Sequence, residues 1–313
     1  MIWQLLGGLV LLLVGGEALV RGAVAVAERL GVSQLLIGVT LVGIGTSAPE
    51  LVTCIDAALQ GSPGIAIGNV VGSNIANVLL ILAIGALLCP VHCSPNAFRR
   101  DGVVIALSAI ACTIVVVGGS VTRIMGAALL AGLVGYLVWA ALTDHQESDS
   151  DPPTSVAASS EQKQAVLTSL AMALGGLGAI IWGADLLVMG AIDLASSLGV
   201  SETLIGLTIV AVGTSLPELA TTVMAAIKRE GDVAFGNIIG SSIFNSLGVL
   251  GATAVVQPIA IPLDVVGFDI WVMLGATGAL LLFAVTSWRI NRMEGGALLA
   301  GYVAYLGVLI VPG

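Results

Sequence analysis

The chain has 313 residues, 58% of them hydrophobic and only 9% charged, with ten Lys and Arg against nineteen Asp and Glu. A soluble domain carries about 25% charged residues, so composition excludes a water-soluble enzyme or binding module and leaves an all-α polytopic membrane protein. Ten basic residues are too few to coat a nucleic-acid surface, and much of the formal charge of −9 falls in one linker.

Spans need about 20 apolar residues each, and the hydropathy pattern predicts ten, at 2–27, 33–59, 65–88, 102–119, 123–142, 165–197, 202–227, 233–256, 267–287 and 295–311. Met1 opens an apolar run with no basic segment before it, so no cleavable signal peptide is expected. Cys54, Cys89, Cys93 and Cys112 lie in apolar stretches or at their ends, which suits free thiols. The cluster Cys89-Pro-Val-His-Cys93 lacks the second ligand pair of a zinc site. Between the fifth and sixth spans, Thr143 to Gln164 is acidic and rich in Pro and Ser, the composition of a solvated tether. Its Asp149-x-Asp151 is followed by Pro152 and Pro153, where a calcium loop needs a further ligand and a glycine. The expected organisation is a five-helix unit at 1–142, an acidic linker at 143–164 and a second five-helix unit at 165–313.

Residues 38–77 recur at 206–245 with a constant offset of 168 and no gap; 19 of the 40 aligned positions are identical, too many for shared greasiness alone. GTSAPE (Gly45 to Glu50) answers GTSLPE (Gly213 to Glu218), and GNVVGSN (Gly68 to Asn74) answers GNIIGSS (Gly236 to Ser242). The matched pairs include Thr46/Thr214, Ser47/Ser215, Pro49/Pro217, Glu50/Glu218, Asn69/Asn237, Ser73/Ser241 and Asn77/Asn245. Outside this stretch Gly15/Gly183, Glu17/Asp185, Gly22/Gly190, Gly31/Gly199 and Pro90/Pro258 align at the same offset, so the repeated unit is half the chain. Each half has an odd number of spans, so the second copy enters the membrane the other way up. Two inverted-topology five-helix repeats result, the plan of many secondary transporters that bind substrate near the midplane.

Charge placement agrees. With the N-terminus outside, the cytoplasmic side holds Arg21, Arg29, Arg99, Arg100, Lys163, Lys228, Arg229, Arg289 and Arg292, and the outside loops hold Arg123 alone. Both termini are expected outside and the linker inside, across the cytoplasmic (plasma) membrane. Glycines at four-residue spacing, such as Gly68/Gly72 and Gly236/Gly240, read as close helix packing.

Glu50 and Glu218 fall near the middle of predicted spans. An Asp at a helix centre costs about 2.5–3.5 kcal/mol to insert, so carboxylates there face a cavity and have a task. Pro49 and Pro217 lack an N–H, which frees the carbonyls of Gly45 and Gly213. Thr46 shares a helix face with Glu50, and Thr214 with Glu218. Asn69, Ser73 and Asn77 form a second polar stripe, mirrored by Asn237, Ser241 and Asn245. One such Pro, Ser or Thr is ordinarily a kink or a bond back to its own helix; the recurrence of the whole set in both halves argues for a ligand site. Two carboxylates with hydroxyls, amides and carbonyls suit Ca²⁺, which takes about 6–8 oxygens, rather than zinc or copper.

These motifs, GTS-x-PE with GN-x-x-GS in both halves, resemble the calcium/cation antiporter superfamily, and within it the prokaryotic type of sodium/calcium exchanger. The resemblance implies a central Ca²⁺ site of Glu50, Glu218 and the carbonyls of Thr46 and Thr214. It implies flanking Na⁺ sites at Ser47, Ser73, Ser215 and Ser241, with Asn77 at the family's amide position and Asn245 where the family has a carboxylate. Asn245 departs from the sodium/calcium exchangers, which carry Asp there; the site then holds one negative charge fewer, and Na⁺ or H⁺ stays open as counter-ion.

The function these readings imply is a secondary antiporter exporting Ca²⁺ in exchange for Na⁺ by alternating access, with spans one and six sliding over an eight-helix core. A Ca²⁺/H⁺ antiporter is the nearest rival, a cation channel is further off, and a membrane enzyme is disfavoured because no catalytic His or nucleophile–base pair accompanies the acids. No GxxxxGK[ST] loop occurs, so ATP drive is not expected. The expected partners are the ions and the lipid bilayer, with the monomer as the working unit and no resident cofactor. Glu17 and Asp185 occupy equivalent places in spans one and six, where gating and simple pairing are both open readings, and Asp56 has no acidic counterpart.

Overall fold

A computed structural model of the chain describes residues 2–93, 95–148, 160–198, 211–261 and 267–310. It is helical nearly throughout. In the first half these are α1 (Ile2–Leu30), α2 (Gln34–Thr46), α3 (Ala48–Leu59), α4 (Pro63–Leu88), α5 (Pro95–Val117) and α6 (Arg123–Ser148). In the second are α7 (Ser160–Ser197), a turn at Ala211–Gly213, α8 (Leu216–Lys228), α9 (Gly231–Val256), α10 (Asp269–Ser287) and α11 (Arg292–Ile310). Among the described residues seven helices are long and apolar enough to cross a membrane, or eight when α2 and α3, bent by 41° at their junction, count as one span. Of the two other expected spans, 202–227 begins on residues outside those described, and α11 carries Arg292 and Glu294 in its first turn. The helices at both ends of the linker run further than hydropathy suggested, to Ser148 and from Ser160, while 149–159 lie outside the described residues.

Local chemistry sets the helix ends. Gly31 takes φ +66° after α1, a conformation other residues adopt only with strain. Ser33 caps α2, its Oγ accepting from Leu36 N–H at 3.0 Å. The Asp144 carboxylate near the end of α6 accepts from Ser33 N–H at 2.8 Å and Ser33 Oγ at 2.5 Å, tying the linker's start to the α1–α2 turn. Within α5, Arg100 pairs with Asp101 at 2.7 Å and donates to the Ala140 carbonyl of α6 at 3.1 Å; Tyr136 donates to Asp101 at 3.0 Å. All three side chains are buried.

Packing places α4 and α9 innermost, with 78% and 83% of their apolar windows buried, against 28% for α6 and 22% for α7. α1 and α7 lie along each other over most of their length. A Cβ on Gly15 would stand 2.8 Å from the Gly176 carbonyl oxygen, so backbone meets backbone there. Gly8 faces Gly183 and Gly22 faces Ala173, so the two helices run antiparallel. Apolar attraction between helices is weak in lipid, and this close approach supplies van der Waals contact in its place.

Two short strand pairs cross between the halves. β1 (Val91–His92) pairs antiparallel with β4 (Arg289–Ile290), and β2 (Ser120–Val121) with β3 (Ile259–Ala260). β1 precedes α5 and β2 follows it, so the two pairs cap opposite ends of that helix.

Candidate functional site

The site begins where helices break. Ser47 separates α2 from α3 at φ −85°, ψ 9°; its repeat mate Ser215 precedes α8 at φ −92°, ψ 7°. Pro49 and Pro217 sit in the first turn of the outgoing helices, where a missing N–H is harmless to the helix itself. The same turns hold Glu50 and Glu218, so each carboxylate lies at the partially positive end of a helix dipole. Asn77 opens a π-helical turn (Asn77–Leu82) in α4, and Asn245 lies in the corresponding turn (Phe244–Val249) of α9. Such turns interrupt the regular ladder and recur at functional sites.

Hydrogen bonds join these breaks crosswise. Ser47 Oγ donates to Glu218 Oε1 at 2.8 Å, and Ser215 Oγ to Glu50 Oε1 at 3.3 Å. Thr46 Oγ1 donates to Asn237 Oδ1 at 3.1 Å, and Thr214 Oγ1 to Asn69 Oδ1 at 3.3 Å. Ser241 Oγ lies 3.3 Å from Glu218 Oε1 and 3.1 Å from the Gly43 carbonyl; Ser73 Oγ lies 3.5 Å from Ser215 Oγ. The Asn77 turn packs on α8 and the Asn245 turn on α3, again across the halves. The structure thus joins eight of the ten sequence-predicted residues through direct bonds that link or reach across the halves, while the side chains of Asn77 and Asn245 bond to none of them and only their turns pack across the halves. Nine are buried, and Thr214 is partly exposed.

One oxygen on each glutamate is satisfied. Glu50 Oε2, Glu218 Oε2 and both amide atoms of Asn77 and Asn245 are buried without a hydrogen-bond partner. An unmet buried polar group costs about 1–3 kcal/mol, and burial takes both carboxylates away from water. A cation ligated by oxygen relieves both penalties. Among the described residues no three His, Cys, Asp or Glu side chains come together. The donors here are instead carboxylates, hydroxyls and amides, a set for hard cations such as Ca²⁺ and Na⁺.

Asn69 and Asn237 join this network, although only their place in the polar stripe marked them; their recurrence in both halves was the available signal. Glu17 pairs with Arg21 on its own helix at 2.5 Å and with Lys228 of α8 at 3.1 Å. Its counterpart Asp185 is exposed, with no ion pair among the described residues. Asp56 accepts from Gln60 on the same helix at 2.6 Å. Burial pushes the Cys93 thiol up to about 12, so it stays protonated and is a poor metal ligand.

Comparison with known proteins places the whole chain beside known transporters. The sequence profile described as sodium/calcium exchanger protein matches residues 1–142 and 168–311. The chain is 35% identical over 340 aligned residues to the sodium/calcium exchanger MaX1 of Methanosarcina acetivorans, covering 97% of each chain. It is 34% identical to the inner membrane protein YrbG of Escherichia coli, covering 97% of this chain and 95% of that one. Among solved structures it superposes on the sodium-calcium exchanger NCX_Mj, soaked with Na⁺ and Sr²⁺, with a TM-score of 0.86 at 31% identity, over 98% of this chain and 97% of that one.

Proposed function

Because this chain belongs to the sodium/calcium exchanger protein family, a family of membrane transporters and not of enzymes, we propose that it exports Ca²⁺ in exchange for Na⁺ by alternating access. The observation that carries the reading is the crosswise bonding of Ser47 to Glu218 and Ser215 to Glu50. One ion between the two carboxylates is held by both halves, and Ca²⁺ neutralises the pair. The ligands are Glu50, Glu218, Thr46 and Thr214 for Ca²⁺, and Ser47, Ser73, Ser215, Ser241, Asn77 and Asn245 for the flanking Na⁺ ions. A bare site carries two uncompensated charges, so it crosses between faces only when loaded, which couples the two ions.

The same proposal takes the chain as ten spans in two inverted repeats, 1–142 and 165–313. Two observations support the inversion. The repeat mates α1 and α7 run antiparallel. The mates β1 and β3 lie at opposite ends of α5, since β3 pairs with β2. The charge bias then sets both termini outside and the linker in the cytoplasm. A monomer suffices, because one chain supplies both halves of the site.

Everted vesicles test the reading: Ca²⁺ uptake should follow an imposed Na⁺ gradient and persist with a protonophore. Asn245 favours one second reading, a Ca²⁺/H⁺ antiporter, because an amide replaces a third carboxylate; uptake that collapses with the protonophore and ignores Na⁺ would select it.

A further inference from the structure

Each glutamate closes a ring of hydrogen bonds that begins one helical turn further along its own helix. In the second half, Asn237 Nδ2 donates to Thr222 Oγ1 at 3.0 Å, and Asn237 Oδ1 accepts from Thr46 Oγ1 at 3.1 Å. The next residue, Ser47, returns to Glu218 at 2.8 Å. Thr222 and Glu218 are four residues apart on α8, so the path leaves α8, visits α9 and the first half's helix break, and comes back to α8. In the first half, Asn69 Nδ2 donates to Cys54 Sγ at 3.2 Å, and Asn69 Oδ1 accepts from Thr214 Oγ1 at 3.3 Å. Ser215 then returns to Glu50 at 3.3 Å. Cys54 and Thr222 are repeat mates that differ in chemistry. Both are fully buried, so each acceptor matters to the amide it faces.

We propose that Asn69 and Asn237 are positioning residues for the ion site, aimed by Cys54 and Thr222, and that the thiol at 54 makes the Glu50 side the looser of the two. The inference rests on the ion-site reading above. An Asn whose NH₂ is anchored turns its oxygen to the threonine of the opposite half. That fixes the rotamer of the threonine and the course of the broken backbone that carries its carbonyl and the following serine. A thiol is a weaker acceptor than a hydroxyl, and the two oxygen–oxygen bonds downstream of Cys54, at 3.3 and 3.3 Å, are longer than their mates downstream of Thr222, at 3.1 and 2.8 Å. The second half thus contains its own template for a tighter first half, a hydroxyl at position 54.

The test is Na⁺-driven ⁴⁵Ca²⁺ uptake by Cys54→Ala, Cys54→Thr and Thr222→Cys in vesicles, with the Ca²⁺-induced rise in Tm of each purified protein read in parallel. Cys54→Ala should raise KM for Ca²⁺ about five- to ten-fold with kcat within about two-fold, and should shrink the Tm rise. Cys54→Thr should restore KM to the wild-type value or below it, and Thr222→Cys should raise it two- to five-fold. A purely structural role would lower the ion-free Tm of Cys54→Ala and leave its KM in place; that result overturns the proposal, as does Cys54→Thr behaving like Cys54→Ala. Loss of Na⁺-driven uptake by the wild-type protein would instead overturn the antiporter reading itself, so the two failures are distinct.

Discussion

Glu50 and Glu218 each have one carboxylate oxygen held by a serine of the other half and one without a partner. The division of labour is specific: the held oxygen fixes the rotamer, and the unheld one stays available to a cation. Glu50→Gln and Glu218→Gln keep the shape and remove the charge, so each should abolish Ca²⁺ uptake in vesicles while the protein still inserts. Near-wild-type uptake by either would falsify the assignment of that residue. Asn245 is a separate matter, since its buried amide has no hydrogen-bond partner at either atom. Asn245→Asp adds a third buried carboxylate on a turn that packs against the helix of Glu50, and with it a group that protons can titrate. It should make uptake more steeply inhibited by acid than in the wild type, and a pH profile unchanged between pH 6 and 8 would show that position 245 lies outside the ion's reach.

At the scale of elements, what the sequence made legible was whatever both halves repeat. Pro49/Pro217 and Glu50/Glu218 marked the stretch, but 33–59 read as one span with Thr46 and Glu50 on one helix face; the structure ends that helix at Thr46, breaks at Ser47 and starts another at Ala48, and gives Ser47 and Ser215 nearly the same backbone angles. The cross-half partners were not legible, because hydropathy and spacing order residues along a helix but carry no information on which helix lies opposite. Cys54 and Thr222 stayed hidden for a related reason: unlike residues at equivalent positions leave no trace in a search for identity. The buried Arg100–Asp101–Tyr136 cluster was invisible too, since Arg100 read only as a cytoplasmic charge. Its energetics give a prediction. Asp101→Ala leaves a buried guanidinium without its carboxylate, a loss of about 3–5 kcal/mol. The purified variant should melt well below the wild type, and equal Tm values would mean that water or another group takes over the charge. The α1–α7 seam is similarly strict: Gly15→Leu drives a side chain into the Gly176 carbonyl, so the variant should lose transport and become sensitive to protease.

Across the whole molecule the two halves share a plan but not a state. α1 lies against α8, close enough that a Cβ on Gly16 would come within 3.3 Å of the Ala220 carbonyl, while its mate α7 makes at most marginal contact with α3, the mate of α8. Under the alternating-access reading proposed above, that inequality would be a site closed toward one face and more open toward the other, and exchange of the two packings would be the transport step. Lys228 reaches Glu17 on the closed side only; the equivalent of Lys228 is Gln60, which bonds Asp56 on its own helix and leaves Asp185 without an ion pair among the described residues. The ion pair therefore biases the closed packing without a counterweight, although Glu17 is 44% exposed and Arg21 competes for it, so the bias is small. Lys228→Gln should lower the population in which α1 rests on α8 by about two- to five-fold, read as a shift toward longer distances between spin labels placed on α1 and α8. The reciprocal change, Gln60→Lys, offers Asp185 a partner and should shift the population further in the same direction by steadying α7 on α3. If neither substitution moves the distance distribution, helix packing alone sets the balance between the two faces.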